Sequence, residues 1–448
     1  MVQALGQKVI IGLGKTGLSC LQFLSHQGIP IAVVDSREQP PGLLQLQTQF
    51  PRITVHLGKF DEQLLQQAQE LIVSPGVSLA EPAIARCVAA GIPVIGDIEL
   101  FARHVKAPVI AITGTNGKST VTTLVGKMVR DAGWRVKVGG NLGTPALDLL
   151  DGEPADCYVL ELSSFQLETT YSLHSHAAVV LNIAPDHLDR YRNMDEYIDA
   201  KQRIYTGCQT PVINRDDRVS YRGLPDIAHA IRFTLNEPIT PQEFGLRTTS
   251  QGLFLAQGAQ DLLPVTELQI KGRHHWANAL AALALGRAIG LPMSAMLQTL
   301  RTFQGLAHRC QWVARYQEVD WYNDSKATNV VSSIAALEGL GDTLRNKLIL
   351  IAGGLGKQQD FSPLQKPVLQ YVRTVILIGR DAPLIEQALN KTSKILHASS
   401  MLEAVTLAHQ EAQAGDAVLL SPACASFDMF DNFEHRGEVF MTLVRELS

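Results

Sequence analysis

The chain has 448 residues, enough for two to four domains with separate cores. With 46% hydrophobic residues, 18% charged residues and a formal net charge of -4, it lacks the basic excess of a nucleic-acid binder and the charge pattern of a membrane-surface protein. No apolar run approaches the ~20 residues that cross a bilayer. The N-terminus shows no signal-peptide core before its first strand. The six cysteines (Cys20, Cys87, Cys157, Cys208, Cys310 and Cys424) are scattered without a CxxC pair. A soluble cytoplasmic enzyme in a reducing compartment fits these features better than a disulfide framework or a zinc site.

The first element is a short buried strand, Lys8-Val-Ile-Ile. It runs into Gly12-Leu-Gly14-Lys-Thr-Gly17 and a helical pattern through Leu18, Leu21, Phe23 and Leu24. A second strand, Ile31-Ala-Val-Val-Asp35, follows. GxGxxG, helix, strand and acid together outline a βαβ unit whose turn binds a phosphate-bearing nucleotide. A nicotinamide does not follow from this, because any diphosphate can use the same helix N-terminus. Asp35-Ser36-Arg37 closes the second strand, either as a ligand contact or as a solvated strand end. Leu71-Ile-Val-Ser-Pro-Gly76 is a further strand entering a turn, and Ile92–Gly96 ends the unit. Asp97–Arg103 reads as a connecting helix.

The strongest motif lies at 109–120. The apolar run Val109-Ile-Ala-Ile-Thr113 enters Gly114-Thr115-Asn116-Gly117, and Lys118-Ser119-Thr120 opens an apolar-periodic helix. Strand, glycine loop and helix start form a phosphate cradle. Lys118 is placed to reach the β/γ-phosphates, and the Ser119 hydroxyl to hold Mg²⁺. The longer P-loop pattern wants a glycine where Ile112 stands, so this is the shorter form.

Beyond the loop, Arg135–Asn141 is a strand ending in Gly-Gly-Asn. Cys157–Glu161 is a strand with a carboxylate at its end, and Ser163 with Gln166 forms a capping box for the next helix. An acid at the end of a strand next to the P-loop strand is a Mg²⁺ ligand in P-loop folds, which nominates Glu161. Ala177–Ile183 is another strand, ending at His187 with Asp186 and Asp189 beside it. Such a histidine can bind a second cation or orient a substrate. Lys201, on the helix from Asp195, reads from sequence alone as part of a solvated face. Residues 209–270 are β-rich and irregular. Asn278 reads as the cap of the apolar helix from Ala279, or as a ligand contact.

From about Gly305 the alternation of strands and helices restarts. The strands near 320–323, 347–353, 374–379 and 416–421 indicate a third, mostly parallel α/β domain. Asp324, Lys326, Lys357 and Ser426 lie at strand carboxyl ends, where such sheets bind ligands. Cys424 reads as small-residue packing rather than a nucleophile.

These motifs together resemble the Mur ligase family of peptidoglycan synthesis over nearly the whole chain. The stretches that carry the resemblance are Gly12–Ser19, Gly96–Phe101, Thr113–Thr120, Leu160–Glu168, Asn323–Asn329 and Ser421–Ser426. Leu-Ser-Ser-Phe-Gln-Leu and Ser-Pro-Ala-Cys-Ala-Ser point to the D-glutamate-adding members. The Asp-Asn-Pro-Arg signature of members that add a diamino acid is absent.

The resemblance implies ATP-dependent amide formation between UDP-N-acetylmuramoyl-L-alanine and D-glutamate through an acyl phosphate. It implies ATP contacts at Gly114, Thr115, Asn116, Gly117, Lys118, Ser119, Thr120, Asn278, Arg309, Asp324 and Lys326. It implies Mg²⁺, as two ions, on Ser119, Glu161, His187 and a carbamylated Lys201. UDP-substrate contacts would be Thr16, Asp35, Ser36, Arg37, Gly76 and Asn141. The D-glutamate pocket would be framed by Thr328, Lys357, Ser426, Phe427 and Phe433. Lys118, His187, Lys201 and Lys326 would be catalytic.

Two positions depart from the family pattern. His275 stands where an asparagine is common, and Phe427 stands where leucine is usual.

Three α/β domains are therefore expected. They are a Rossmann-like UDP-substrate domain at 1–96, a P-loop ATPase-like domain with a mostly parallel sheet at 97–305, and a Rossmann-like domain at 306–448. The chain is expected to act as a monomer, without nucleic acid or membrane. Three rival readings stand beside this one. A nicotinamide-dependent dehydrogenase leaves the P-loop and Glu161 without a role. A nucleotide switch would bind ATP without amino-acid-dependent turnover. A ligase of the same family could instead add L-alanine or extend folate with glutamate.

Overall fold

The computed structural model describes residues 7–447 except 188–189, 225, 271, 343, 345 and 390–392. The chain divides into two compact units. The first comprises residues up to 250 with 254–262 and 279–299, and the second comprises 251–253, 263–278 and 300–448.

The first unit opens with five strands: β1 (Lys8–Ile11), β2 (Ile31–Asp35), β3 (Thr54–Leu57), β4 (Glu70–Val73) and β5 (Val94–Ile95). They pair in parallel in the order β3-β2-β1-β4-β5. The inner strands are continuous apolar runs because both faces are covered. Ile10, Val33 and Ile72 pack with Leu21 and Leu24 on one face. Val9, Val34 and Leu71 pack with Leu65 and Ile84 on the other. The strand order reverses between β1 and β4, so the crevice of this sheet opens beyond their carboxyl ends.

Nine strands form the next sheet: β6 (Val109–Thr113), β7 (Val136–Gly140), β8 (Cys157–Glu161), β9 (Ala177–Val180), β10 (Thr210–Asn214), β11 (Ile231–Phe233), β12 (Phe244–Thr249), β13 (Gly252–Gln257) and β14 (Gln260–Pro264). Their order is β14-β13-β12-β11-β10-β9-β6-β8-β7. Strands β6 to β11 pair in parallel. β6 lies between β8 and β9, so the ends of three strands surround the loop that follows Thr113.

The second unit holds β15 (Gln311–Tyr316), β16 (Val319–Asn323), β17 (Leu348–Gly353), β18 (Val372–Ile378), β19 (Lys394–His397) and β20 (Ala417–Leu420). They are ordered β15-β16-β20-β17-β18-β19. β15 pairs antiparallel with β16, and the other pairings are parallel. Gln317 and Glu318 turn the β15–β16 hairpin with φ of 48° and 61°, the left-handed conformation a two-residue turn demands. The expected α/β class with mostly parallel sheets is what the chain adopts.

The structure corrects one boundary. The long helix runs Arg273–Ala288, so Asn278 lies in its second turn and caps nothing. The apolar run from Ala279 had suggested a start there. Tertiary packing recruits His275, only 4% exposed, into the helix before it. Among the described residues no helix is long and apolar enough to cross a membrane.

Candidate functional site

The loop after β6 is held open by two glycines and pinned by β9. Gly114 has φ of +149°, and a Cβ there would stand 3.0 Å from the Leu181 Cβ. Gly117, at φ of +83°, precedes the helix Lys118–Asp131, which has no side-chain cap, so its positive dipole end faces the loop. Asn182, just past β9, accepts from Asn116 N–H through Oδ1 (2.8 Å) and donates through Nδ2 to Asn116 O (3.0 Å). Thr115 N–H donates to Asn182 O (2.9 Å). The buried Thr115 hydroxyl donates to Ala184 O (3.1 Å), accepts from Ala184 N–H (3.0 Å) and shares a 3.0 Å hydrogen bond with Tyr197 OH. These bonds shape the loop rigidly, as a phosphate cradle requires.

Two amines meet on this loop. Lys118 Nζ donates to Gly114 O (2.9 Å) and Thr115 O (2.8 Å). Lys201 Nζ donates to the same Gly114 O at 2.9 Å and lies 4.7 Å above the Tyr197 ring. Lys201 is 2% exposed, not on the solvated face its sequence context suggests. Its helix, Met194–Gln202, turns Tyr197, Ile198, Ala200 and Lys201 inward. Burial first, then the Lys118 charge, hold the Lys201 pKa well below the ordinary lysine value.

Glu161 ends β8 and is 3% exposed. Its Oε1 accepts from Asn141 Nδ2 (2.6 Å), while its Oε2 is buried with no hydrogen-bond partner. A buried carboxylate oxygen without a donor is costly unless a cation meets it. The Glu161 charge also acts on Lys201, as does that of Asp186.

His187, at φ of 55°, packs edge-on to Phe165 with centroids 4.9 Å apart. Its Nε2 lies 3.7 Å from Asp186 Oδ2. Asp189 lies outside the described residues.

No local motif marks Arg190 in the sequence. It donates to Pro75 O (3.4 Å), Val77 O (3.2 Å) and Glu168 Oε2 (3.0 Å), with its guanidinium 4.5 Å above Phe165. It thereby ties the turn holding Gly76 to the aromatic shelf under His187.

At the first sheet, a Cβ on Gly17 would meet Gly12 O at 1.9 Å, so only glycine lets the helix Lys15–His26 approach β1 this closely. Asp35 is buried and fully engaged. It accepts from Leu13 N–H (2.7 Å), Arg37 Nε (2.9 Å) and Arg37 Nη2 (2.7 Å). Burial pushes its carboxyl up, but the Arg37 and Leu13 hydrogen bonds outweigh this and hold its pKa below the ordinary value. Asp35 therefore shapes the glycine turn and presents Arg37. Ser36, Arg37 and Gly76 are exposed and Thr16 is half-buried.

In the second unit, Asp324 is buried at the end of β16. It accepts from Cys310 N–H (3.1 Å) and Ser421 Oγ (2.8 Å), and burial pushes its carboxyl up to about 7. Lys326 Nζ lies 3.7 Å from the Phe433 ring centroid. Thr328 is half-buried and Ser426 is buried, while Lys357 and Phe427 are exposed, Phe427 by 67%. Asn278 is buried and Arg309 half-buried. The Cys424 thiol is buried and pushed up to about 12, which suits packing rather than nucleophilic chemistry. Arg436 was also illegible in the sequence. It is buried and donates to Ser325 Oγ (2.9 Å), Ser325 O (2.8 Å) and Cys424 O (3.1 Å), joining the Asp324–Lys326 turn to the Ser421–Ser426 loop.

Three family models match the chain. They are the Mur ligase MurD-like N-terminal domain over residues 6–96, the Mur ligase middle domain over 112–286, and the Mur ligase glutamate ligase domain over 308–424. The chain is 55% identical over 439 residues to a UDP-N-acetylmuramoylalanine--D-glutamate ligase of Coxiella burnetii, covering 98% of each chain. It is 55% identical over 446 residues to the protein of the same name in Nitrosococcus oceani (99% and 98% covered), and 52% over 441 residues to that of Pseudomonas aeruginosa (98% of each). Among solved structures, a UDP-N-acetylmuramate-alanine ligase from Thermotoga maritima superposes with a TM-score of 0.62 at 16% identity, covering 99% of this chain and 100% of that one. A pseudomurein peptide ligase type C from Methanothermus fervidus superposes with a TM-score of 0.61 at 18% identity, with the same coverage. At such identities these two likenesses speak to fold alone.

Proposed function

The chain belongs to the Mur ligase family, and on that premise we propose that it is an ATP-dependent ligase joining D-glutamate to UDP-N-acetylmuramoyl-L-alanine. The GxGxxG turn of the first sheet then serves a UDP-linked substrate rather than a nicotinamide. One observation in the site carries the reading: a glycine-shaped phosphate loop with a buried acid and a buried lysine of lowered pKa beside it, in a chain matched over 98% of its length by relatives named for D-glutamate ligation.

In this reaction the L-alanine carboxylate attacks the γ-phosphorus of ATP, ADP leaves, and an acyl phosphate forms. The amine of D-glutamate then adds to the acyl carbon. The tetrahedral intermediate loses a proton and expels phosphate, leaving the amide.

Gly114, Thr115, Asn116, Gly117 and Thr120 cradle the phosphates, and Lys118 swings from the loop carbonyls to the β/γ-phosphates. Ser119 and Glu161 would hold Mg²⁺. The unpartnered Glu161 Oε2 is the feature of this fold that fits the ion. His187 and Lys201 would hold a second ion. Mg²⁺ supplies charge neutralisation of the transferring phosphoryl group.

Lys201 fits a carbamate because its lowered pKa favours the neutral amine, the form that adds to CO₂. A nitrogen–carbon bond forms, the nitrogen loses one proton, and the neutral amine becomes an anionic carbamate. The carbamate anion would be attracted to Lys118, whose charge disfavours a cation at Lys201.

Thr16, Ser36, Arg37, Gly76 and Asn141 contact the UDP substrate, with Asp35 positioning Arg37. Asn278, Arg309, Asp324 and Lys326 contact the nucleotide, Lys326 also acting on the transferring group. Thr328, Lys357, Ser426, Phe427 and Phe433 frame the amino acid, and Lys357 matches a carboxylate in charge. The domain assignment at 1–96, 97–305 and 306–448, the monomeric state and the cytoplasmic location belong to the same proposal.

The test is phosphate release from ATP with Mg²⁺ and UDP-N-acetylmuramoyl-L-alanine, with D-glutamate, with L-glutamate, or with neither. Release and a new UDP-linked dipeptide only with D-glutamate are expected. Release indifferent to D-glutamate would overturn the assignment. In CO₂-depleted buffer the rate should fall and bicarbonate should restore it; an unchanged rate would remove the carbamate.

A further inference from the structure

The second unit gathers three side chains that the proposed reaction does not use. His274 and His275 lie in the first turn of the helix Arg273–Ala288, and Cys310 lies just before β15. One ligating atom from each falls within 4.8 Å of the others. The two imidazoles lie against each other, with centroids 4.1 Å apart at 44°. The Nδ1 atoms of both rings are buried and have no hydrogen-bond partner. An unpartnered buried nitrogen is costly unless something meets it.

The surroundings suit a soft divalent cation. Burial holds both imidazoles neutral, assisted at His275 by its neighbours His274 and Arg309, so their lone pairs are available at neutral pH. The His274 ring also hydrogen-bonds the backbone of Ala335, the kind of outer contact that orients a metal-bound histidine. Cys310 N–H donates to Asp324 Oδ1, and the thiol faces the same carboxylate. Burial, then the Asp324 carboxyl, push the Cys310 thiol up, so a divalent cation has to displace its proton.

We propose that His274, His275 and Cys310 form a zinc-binding site, with a fourth position for water or another donor. Two imidazoles and one thiolate are a zinc donor set, and they select against Mg²⁺, which prefers oxygen. Tetrahedral zinc with bonds of about 2.0–2.3 Å holds its ligand atoms about 3.3–3.8 Å apart, so the three side chains close by roughly 1 Å around the ion. On binding, the sulfur–hydrogen bond of Cys310 breaks, its proton passes to solvent, and a sulfur–zinc bond forms. The sequence pattern hides the site because His275 and Cys310 are 35 positions apart, outside any CxxC or HxxxH spacing.

The experiment uses the full chain stripped of metal by a chelator and titrated with Co²⁺, then with Zn²⁺. One Co²⁺ per chain showing a thiolate-to-cobalt charge-transfer band, displaced by Zn²⁺, is expected. The proposed Mg²⁺ site has no sulfur and cannot give that band. Cys310→Ser and His275→Asn should each abolish the band and weaken Zn²⁺ binding by roughly 100-fold or more. His275→Asn installs the residue the family pattern favours, so it keeps the test available if Cys310→Ser fails to fold. Absence of a thiolate band, or its survival in either folded variant, would overturn the site.

Discussion

Replacing Asp97 with asparagine is expected to flatten the dependence of stability on pH. Asp97 opens the helix Asp97–Ala102 and is 2% exposed. Its Oδ2 accepts from Gln166 Nε2 at 3.0 Å, while its Oδ1 is buried without a partner. Burial, only partly offset by the Gln166 and backbone N–H hydrogen bonds, raises its pKa to about 6. The unfolded value is about 3.9, so the gap of about two units corresponds to ~3 kcal/mol.

The sign follows from proton counts. Between about pH 4 and about pH 6 the folded carboxyl keeps a proton that the unfolded one has lost. Its contribution to stability is therefore intact below about 3.9 and disappears as pH rises through about 6. Asparagine cannot ionise. Near pH 4 the two proteins should differ little, since a protonated acid and an amide have similar shape and each carries a donor. By about pH 8 the asparagine protein should be ahead by ~3 kcal/mol. Urea unfolding of the first unit, followed for both proteins at about pH 4, 6 and 8, measures this difference directly. A gap that stays constant with pH, or that turns against asparagine as pH rises, would refute the reasoning.

Three further substitutions test the loops. Lys118→Ala should lower kcat/KM for ATP at least ~10³-fold with little change in the urea midpoint, read by phosphate release; a tenfold loss or less would remove Lys118 from the phosphates. Gly17→Ala places a Cβ 1.9 Å from Gly12 O, where backbone meets backbone and neither yields easily. It should destabilise the first unit by ~3 kcal/mol or more in urea, and a loss under about 1 kcal/mol would show that the helix can shift. Thr115→Val keeps the shape but strips hydrogen bonds from Ala184 and Tyr197 in a buried place. A loss of ~1–3 kcal/mol by the same measurement is expected, and no loss would mean that water replaces the hydroxyl.

Much of the fold was legible along the chain. β1, β6, β17 and β20 are buried on both faces and so read as unbroken apolar runs ending in glycine or polar turns. The edge strands β15 and β19 escaped notice because an edge carries exposed side chains, as Trp312 at 55% exposure illustrates. The capping box at Ser163 and Gln166 could be read because it is local, and it forms with Gln166 N–H donating to Ser163 Oγ at 3.1 Å. The Asn278 boundary was misplaced because packing, not propensity, extends that helix.

The candidate site divides along the same line. The Gly114–Thr120 loop, the acid at the end of β8 and the Gly12–Gly17 turn depend on backbone conformation and residue order over a few positions, and sequence specifies both. The lowered pKa of Lys201, the double use of Gly114 O, the engagement of Asp35 and the clamps made by Arg190 and Arg436 arise from contacts between distant segments. Those contacts exist only after folding removes the groups from water. A side chain's charge and partners depend on what desolvates it, and residues far apart in the chain decide that. The same holds for His274, His275 and Cys310, which tertiary structure alone brings together.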